Sequence, residues 1–212
     1  MIARTWHGAV SADKADEYHG YLLRTGVPDY RATPGNAGVY VLRRGQDGVA
    51  HFLLLTLWES LNAIRAFAGD DVERARYYPA DEAYLLELEP HVRHYEVRMA
   101  PEQGSAEGAE IGRVWHGWTT PENADSYERL LREEILAGIA GRRIPGYRGV
   151  HLLRRELTEE VEWITVMWFD SLDAVRAFAG EEYEVAVVPE EARALLSRCD
   201  DRSGHYRVQS RA

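Results

Sequence analysis

The sequence predicts an α+β fold made of two tandem ferredoxin-like βαββαβ units. Two observations lead to this prediction: the 212-residue chain repeats itself once, and both copies alternate strand-like and helix-like segments in one order. The clearest match is SLNAIRAFAG (60–69) with SLDAVRAFAG (171–180), where eight of ten residues are identical at an offset of 111. We therefore expect two copies of about 100 residues each.

The repeat extends to both ends of each copy. RTWHG (4–8) matches RVWHG (113–117) near the start, and HYEV (94–97) matches HYRV (205–208) near the end. The offset at the start is 109 rather than 111, so the second copy is two residues longer. We expect these two residues in the loop after the first helix, where insertions cost little.

A linker is predicted between the copies. The segment MAPEQGSAEGAE (99–110) is rich in Gly, Ala and Glu and contains no aromatic residue, which is typical of a flexible connection. The predicted domains are therefore 1–98 and 111–209, joined by residues 99–110.

Each copy should open with a strand and a helix. The strands are predicted at Ile2–Gly8 and Ile111–Gly117. In the second copy Thr120 suits an N-cap and Pro121 the first helical position. The apolar face of that helix then has helical spacing and consists of Ala124, Tyr127, Leu131 and Ile135.

Two strands and a second helix should follow. The strands are predicted, with hairpin turns between them, at 37–45 and 49–58 and again at 148–156 and 160–169. The helix begins after Ser60 or Ser171 and ends at Gly69 or Gly180, each a natural left-handed C′ residue.

The final elements of each copy are a short helix and a strand. The helix is predicted after Pro79 and Pro189, and the strand at 91–98 and 203–209. The order βαββαβ is that of the split βαβ unit, in which helices cover one face of the sheet.

The other face of each predicted sheet still needs a cover. A fused second copy offers one, because two four-stranded sheets can meet face to face and the covalent link makes that meeting intramolecular. We therefore predict an intramolecular pseudo-dimeric α+β barrel. The protein would be a monomer with an internal pseudo-two-fold axis, with further dimerisation left open.

Composition excludes several function classes. The net charge of −10 and pI near 5.3 argue against nucleic acid as a partner, because little would replace the counterions of a phosphate backbone. No apolar run approaches the roughly 18 residues of a membrane span. The single cysteine, Cys199, fits a reducing cytoplasm. There is also no phosphate-binding glycine loop, GxSxG or CxxC motif.

Several segments resemble one known family. WESLNAIRAFAG with YYPADE downstream, and WFDSLDAVRAFAG with VVPEEARALLS downstream, are similar to the antibiotic biosynthesis monooxygenase (ABM) family of dimeric α+β barrels, as are the RTWHG and HYEV segments. The resemblance covers nearly all of both copies and implies the barrel fold. It leaves the reaction open, because the superfamily includes cofactor-independent oxygenases, haem-binding and haem-degrading enzymes, and small proteins without known activity.

Four histidines are the candidate catalytic residues. The first and last strands of a ferredoxin-like sheet are neighbours, so we expect His94 near His7, and His205 near His116. Three interpretations stay open: a general base with an orienting partner, part of a metal or haem site, or a structural cluster. No carboxylate or cysteine stands beside them at a ligand spacing, so no metal site is predicted.

Aromatic residues are the candidate substrate-binding residues. They are Trp6, Tyr40, Trp58, Trp115, His151 and Trp168, of which His151 is the second-copy partner of Tyr40. The family resemblance implies a functional Trp at Trp58. The offset aligns Phe169 with Trp58, and a one-residue bulge would be needed to bring Trp168 there. The alternative interpretation is that these are core aromatic residues.

Tyr77 and Tyr78 are further candidates for the pocket wall. The resemblance implies a Tyr near this position, but the second copy has Val187 and Val188 there. The two copies are therefore expected to hold non-equivalent pockets, or to differ by drift on a solvated surface.

The leading functional hypothesis is an ABM-type monooxygenase that acts on an aromatic or polyketide-like substrate with dioxygen and, as the resemblance implies, without a cofactor. His7 or His116 would be the base, and Trp58 and Tyr40 would line the pocket. The first alternative is a haem-binding or haem-degrading barrel with an axial histidine. The second is a non-catalytic ligand-binding or accessory protein.

Overall fold

Repeated strands and helices form in both halves of the chain. The computed structural model describes residues 1–212, which divide into two units. Unit 1 consists of Met1–Glu96 together with Arg207–Ala212, and unit 2 consists of Val97–Tyr206. The units are thus not simply the two sequence copies, because the last six residues belong to unit 1.

Unit 1 contains a strand, two helices, two strands and two further helices. In chain order these are β1 (Ile2–Ser11), a 3₁₀ turn (Ala12–Lys14), α1 (Ala15–Arg24), α2 (Gly26–Ala32), β2 (Asn36–Gln46), β3 (Val49–Trp58), α3 (Leu61–Ala68) and α4 (Asp81–Tyr84). The strand β4 (Arg93–Met99) begins in unit 1 and ends in unit 2.

Unit 2 repeats this order with a longer first helix. Its elements are β5 (Ile111–Thr119), α5 (Pro121–Arg129), a π-helical segment (Leu130–Ile135), α6 (Leu136–Gly141), β6 (Tyr147–Glu156), β7 (Val161–Phe169), α7 (Leu172–Ala179), α8 (Glu190–Arg193) and β8 (Leu196–Cys199). The last strand, β9 (Gly204–Arg211), begins in unit 2 and ends in unit 1. None of the helices combines the length and hydropathy needed to cross a bilayer.

The sheet of unit 1 has the split βαβ order predicted from the sequence. Strand β1 lies between β4 and β3, and β2 follows β3, all antiparallel. The end of β9 then pairs with the free edge of β2, from Arg43↔Arg207 to Tyr40↔Arg211. The repeat did not predict this pairing, which covers an otherwise unpaired strand edge.

The sheet of unit 2 repeats the central three strands. Strand β7 lies between β6 and β5, and the short β8 pairs with β5, again antiparallel. The predicted α+β class, with a βαββ arrangement in each half, is confirmed.

The repeated SLxAxRAFAG motif is a helix with a start signal and a stop signal. The side chains of Ser60 and Ser171 accept hydrogen bonds from the backbone N–H groups of Ala63 and Ala174, as N-caps do. Gly69 and Gly180 end the helices at φ 86°. Their ψ values, −167° and −172°, lie in a region open essentially to glycine alone, rather than in the predicted left-handed helical region.

Each unit has its own hydrophobic core between the sheet and its helices. In unit 1 that core includes Trp58 at the end of β3, and in unit 2 Phe169 at the end of β7. Trp58 pairs with Ile2, and Phe169 pairs with Ile111. The last residues of β3 and β7 therefore correspond to each other without a bulge. The suggested realignment of Trp168 with Trp58 is therefore wrong.

Candidate functional site

The alternation of side chains along β1 and β5 sorts the predicted residues onto two faces of each sheet. Trp6 and Trp58 face the helices of unit 1 and belong to its core, as Trp115 faces the helices of unit 2. His7 pairs with Leu53, and Tyr40 pairs with Leu55. Both side chains face away from the helices of unit 1. The predicted site therefore does not come together as one group of residues.

The candidate site is a pocket between the sheet of unit 1 and its helices α1 and α2. Its volume is about 340 Å³ with its open mouth included, and side chains leave room inside for about one ordered water. The lining is mostly aromatic and contains three ionisable groups besides tyrosine: Arg4, Trp6, Tyr18, Leu22, Gly26, Tyr30, Leu54, Arg76, Tyr77, Tyr78 and Asp81.

A buried guanidinium forms the floor of this pocket. The Arg4 side chain is 2% exposed and donates from Nη2 to the carbonyl oxygen of Arg74 over 3.0 Å. Burial lowers the pKa of Arg4, an effect that the nearby Tyr30 phenol partly opposes. No carboxylate forms an ion pair with Arg4, and its Nε has no hydrogen-bond partner. The floor of the pocket therefore carries a positive charge without a counter-charge.

A buried carboxyl group stands on the pocket wall. Asp81 begins α4 and is 4% exposed. Its Oδ1 accepts a hydrogen bond from the Tyr18 hydroxyl over 3.2 Å, and its Oδ2 accepts one from the Tyr78 backbone N–H over 2.6 Å. Burial raises the pKa of Asp81, while these two hydrogen bonds lower it. A carboxyl group with a raised pKa is a better proton acceptor once it is ionised.

The segment 76–78 covers the mouth of the pocket through contacts at its rim. The Tyr78 hydroxyl and the Arg76 guanidinium both donate to Oδ2 of Asp29, over 2.8 and 3.0 Å. The Tyr77 hydroxyl accepts from Trp6 Nε1 over 3.3 Å and donates to the Glu89 carbonyl oxygen over 2.6 Å. These rim contacts are half exposed, so the segment is held mainly by polar contacts that a ligand can exchange.

The equivalent pocket of unit 2 has the same position but different chemistry. Arg113, Trp115 and Tyr127 repeat Arg4, Trp6 and Tyr18, and the volume is about 450 Å³ with the mouth included. The ionisable residues of the mouth and wall are replaced, with Val187, Val188 and Ala192 in the places of Arg76, Tyr77 and Asp81. The equivalent bridges Arg74↔His91 and Val185↔Arg202 fix this offset of 111, so the sequence pairing of Tyr77 and Tyr78 with Val187 and Val188 is wrong by one residue. The two pockets therefore differ in their ionisable residues, which agrees with the expectation of non-equivalent pockets.

His7 belongs to a separate cluster on the other face of the unit 1 sheet. Its Nδ1 lies 2.5 Å from Glu89 Oε1, and its Nε2 lies 3.1 Å from His51 Nδ1. His94 pairs with Arg4 on β1, so it faces the helices. The expected proximity of His94 to His7 is therefore wrong. His94 lies opposite Arg4, and Arg4 and His7 are three residues apart on β1, so their side chains lie on opposite faces of the sheet.

The histidines of unit 2 are also apart from one another. Nδ1 of His116 lies 3.4 Å from Oε1 of Glu162, which takes the place of His51. The ring of His205 lies 5.1 Å from that of Tyr183, and burial lowers the pKa of His205 to about 4. Neither contact brings the two imidazoles together, although the sequence predicted that His205 would lie near His116.

Four other predicted residues have structural partners. The Trp168 indole donates to Nδ1 of His151 over 2.9 Å, and burial lowers the pKa of His151 to about 4. The guanidinium of Arg211 lies 5.4 Å from the ring centre of Tyr40. The Trp58 indole donates to the Thr56 hydroxyl over 2.9 Å. Of these, only Trp58 packs towards the helices, behind Tyr30.

The residues that sequence reasoning missed are Arg4, Tyr18, Tyr30, Arg76 and Asp81. Arg4 and Asp81 stand inside the RTWHG and YYPADE segments that carried the family resemblance. A signal was therefore present, since Arg4 recurs as Arg113 at the same place in the predicted first strand of the second copy.

The family resemblance raised haem as an alternative cofactor, and the residues of the two pockets do not fit an axial histidine. Neither pocket is lined by a histidine. Both ring nitrogens of His7 have polar partners, and Nδ1 of His151 accepts from Trp168. No cluster of three or more His, Cys, Asp or Glu side chains has the arrangement of a metal site.

No protein-family model matches the sequence, and no curated protein does. Solved structures of the same fold are nevertheless similar over the full length. An anthrone oxidase-like protein has a TM-score of 0.61 at 16% identity, covering 100% of this chain and 92% of its own. A proposed monooxygenase from Lactobacillus acidophilus NCFM has a TM-score of 0.62 at 12% identity, covering 100% and 97%.

A third similar structure is a ferredoxin fold protein related to antibiotic biosynthesis monooxygenases, from Listeria monocytogenes 4b F2365. Its TM-score is 0.51 at 9% identity, and the match covers 99% of this chain and 95% of that one. At these identities the likeness concerns the fold and leaves the reaction open. The predicted resemblance is thereby confirmed at the level of the fold, which this chain shares over its whole length with these three structures.

Proposed function

We propose that the protein is an ABM-type small-molecule monooxygenase whose active site is the pocket of unit 1. The observation that carries this proposal is the presence, in one aromatic pocket, of an uncompensated guanidinium, Arg4, and a buried carboxyl group, Asp81. A base and a cation in an aromatic pocket are groups that favour oxidation of a weakly acidic carbon.

The walls favour a flat aromatic substrate. Trp6, Tyr18, Tyr30 and Tyr78 offer ring faces and edges, and ring pairs at offset or edge-on geometry are favourable beyond the area they bury. The free space is small, so binding requires the segment 76–78 to move outward. A phenol- or anthrone-type molecule, with a ring system and one acidic position, matches this lining.

The proposed reaction begins with proton transfer to ionised Asp81. The resulting carbanion is delocalised onto a ring oxygen, whose negative charge Arg4 and the Tyr30 hydroxyl stabilise. The carbanion gives an electron to dioxygen, and recombination of the two radicals forms a carbon–oxygen bond in a peroxide anion. Protonated Asp81 returns its proton to this anion, which gives the hydroperoxide and restores the carboxylate. Loss of water from the hydroperoxide leaves a carbonyl at the oxidised carbon, so the substrate supplies all the electrons and the second oxygen atom leaves as water.

The assignment of the base differs from the sequence hypothesis. His7 faces away from this pocket, and its role as base stays a prediction. In the proposal the base is Asp81, and unit 2, which has Ala192 at that position, does not turn over the same substrate.

The test is oxygen uptake and product mass with anthrone and a panel of naphthols, corrected for uncatalysed oxidation. We expect the Asp81→Asn variant to lose about 100-fold in turnover. The matched Ala192→Ser variant in unit 2 and the His7→Ala, His116→Ala double variant should stay within about threefold of the parent.

Three outcomes would contradict the proposal in different ways. Full activity of Asp81→Asn would remove Asp81 as the base, and a 100-fold loss in the histidine double variant would restore the sequence hypothesis. Binding of the panel without oxygen uptake would favour the alternative of a non-catalytic ligand-binding protein.

A further inference from the structure

The pocket of unit 2 keeps a buried cation in a lining that is mainly apolar and richer in aliphatic side chains than that of unit 1. It lies between the sheet of unit 2 and the helical stretch from α5 to α6. Its one charged lining residue is Arg113, and its polar remainder is Thr165 and Tyr127. Nothing in the proposed reaction uses this pocket.

Arg113 is buried without a counter-charge. Its side chain is 4% exposed and donates from Nη2 to the carbonyl oxygens of Val185 and Tyr183, over 3.0 and 3.4 Å. Its Nε has no hydrogen-bond partner and no carboxylate pairs with it. Burial lowers the pKa of Arg113 to about 10. An unpaired buried cation is unfavourable, so an anion that reached it would be strongly held.

The walls of this pocket contain more aliphatic side chains than those of unit 1, although Trp115, Tyr127 and Phe178 also line it and the Arg113 guanidinium lies 5.5 Å from the centre of the Phe178 ring. The unbranched and branched aliphatic side chains of the lining are Leu131, Ile135, Leu136, Ile139, Met167, Val187 and Val188. Leu131 and Leu136 both reach the pocket because the π-helical segment carries residues five apart to one side of the helix. Flexible aliphatic side chains of this kind suit a flexible apolar chain better than a flat ring.

We infer that the pocket of unit 2 binds a lipophilic carboxylate, with the carboxylate paired to Arg113 and an aliphatic chain against the helical wall. The site is distinct from the proposed active site, since it has no residue in the place of Asp81 and lies in the other unit. Binding of a carboxylate at this site does not depend on whether unit 1 oxidises a substrate.

The test is isothermal titration of the whole protein with sodium octanoate, with 1-octanol and with sodium 1-naphthoate. We expect octanoate to bind, and 1-octanol of the same chain length to bind at least tenfold more weakly. Octanoate should also bind more tightly than 1-naphthoate. Equal affinity for octanol and octanoate would overturn the pairing with Arg113, and tighter binding of naphthoate would overturn the aliphatic assignment.

A matched pair of variants locates the site. Thr165 and Leu54 occupy equivalent places in the two pockets, opposite Trp115 and Trp6. Thr165→Phe, which fills the pocket of unit 2, should weaken octanoate binding at least tenfold, whereas Leu54→Phe should leave it within twofold. The reverse pattern would assign octanoate to unit 1 and overturn the inference.

A second variant tests the charge without relying on shape. Arg113→Met removes the cation while retaining an unbranched side chain, and replacing an uncompensated buried charge by an apolar group is often tolerated. We expect folded protein by circular dichroism and at least tenfold weaker octanoate binding. Unchanged octanoate affinity in a folded Arg113→Met protein would contradict the inference, and if that variant does not fold, the Thr165→Phe result decides.

Discussion

The hydroxyl of Tyr18 donates a hydrogen bond to Oδ1 of Asp81 over 3.2 Å, inside the pocket of unit 1. The same strand and helix in unit 2 present Tyr127, but the position of Asp81 is taken by Ala192. A tyrosine common to both copies therefore has a carboxylate partner in only one of them. Of the two pockets, only that of unit 1 is lined by a carboxyl group.

The Tyr18–Asp81 bond makes a prediction about the pH dependence of the proposed reaction. The hydrogen bond from Tyr18 lowers the pKa of Asp81, although burial raises it more. Removing the hydroxyl in Tyr18→Phe should raise the pKa of Asp81 further. Because only ionised Asp81 accepts a proton, the acidic limb of kcat/KM should move to higher pH. The measurement is kcat/KM for anthrone between pH 4 and 9.

The matched control for this prediction is Tyr127→Phe in unit 2, which has no carboxylate partner and should leave the profile unchanged. A Tyr18→Phe profile that coincides with that of the parent, or that moves to lower pH, would show that Asp81 does not control the acidic limb.

The repeated WHG sequence makes a prediction about stability. A Cβ atom placed on Gly8 would overlap the indole of Trp6, and one placed on Gly117 would come within 2.6 Å of the indole of Trp115. Gly8 therefore leaves space for the indole of Trp6, and Gly117 leaves space for the indole of Trp115, which in each case lies two residues earlier on the same face of the strand. Gly8→Ala and Gly117→Ala should each lower the free energy of unfolding by about 1–3 kcal/mol, as overpacking does.

Urea denaturation measures this effect, and Gly45→Ala on β2 is the control. No atom lies within 4 Å of a Cβ placed on Gly45, so this substitution should change the free energy of unfolding by less than about 0.5 kcal/mol. Equal effects of Gly8→Ala and Gly45→Ala would mean that the indole does not depend on the glycine.

His151 makes a prediction about acid stability. Burial lowers its pKa from 6.5 to about 4 in the folded protein. The unfolded chain therefore binds more protons between these values, and stability falls as the pH drops from 6.5 towards 4. The loss assigned to this histidine is at most roughly 3 kcal/mol.

The check is the free energy of unfolding of parent and His151→Gln at pH 7 and pH 4.5. Glutamine keeps an acceptor for the Trp168 indole but does not titrate. The parent should lose more stability than the variant on acidification, and parallel losses in the two proteins would exclude His151 as the source.

The repeated elements were predictable because their signals are local. The start of α3 depends on the hydroxyl of Ser60, and its end depends on a backbone conformation that Gly69 can adopt. The same signals at Ser171 and Gly180 form α7. The turn residues Gly45–Gly48 likewise marked the hairpin between β2 and β3, since a turn signal acts over a few neighbouring residues.

The site was less predictable because its parts are distant along the chain and depend on register. His7 and Trp6 are adjacent in sequence yet lie on opposite faces of β1, and only the pairing of β1 with β3 and β4 decides which face meets the helices. Arg4 gains its role from Asp81 and the segment 76–78, more than 70 residues away.

The sequence by itself determined that two related copies exist and where most helices and strands begin and end. Those features follow from periodicity and caps that act over a few residues. Only the tertiary structure decided which side chains share a pocket and which ones face the other side. The physical reason is that burial, hydrogen bonding and pKa depend on neighbours that chain order does not specify.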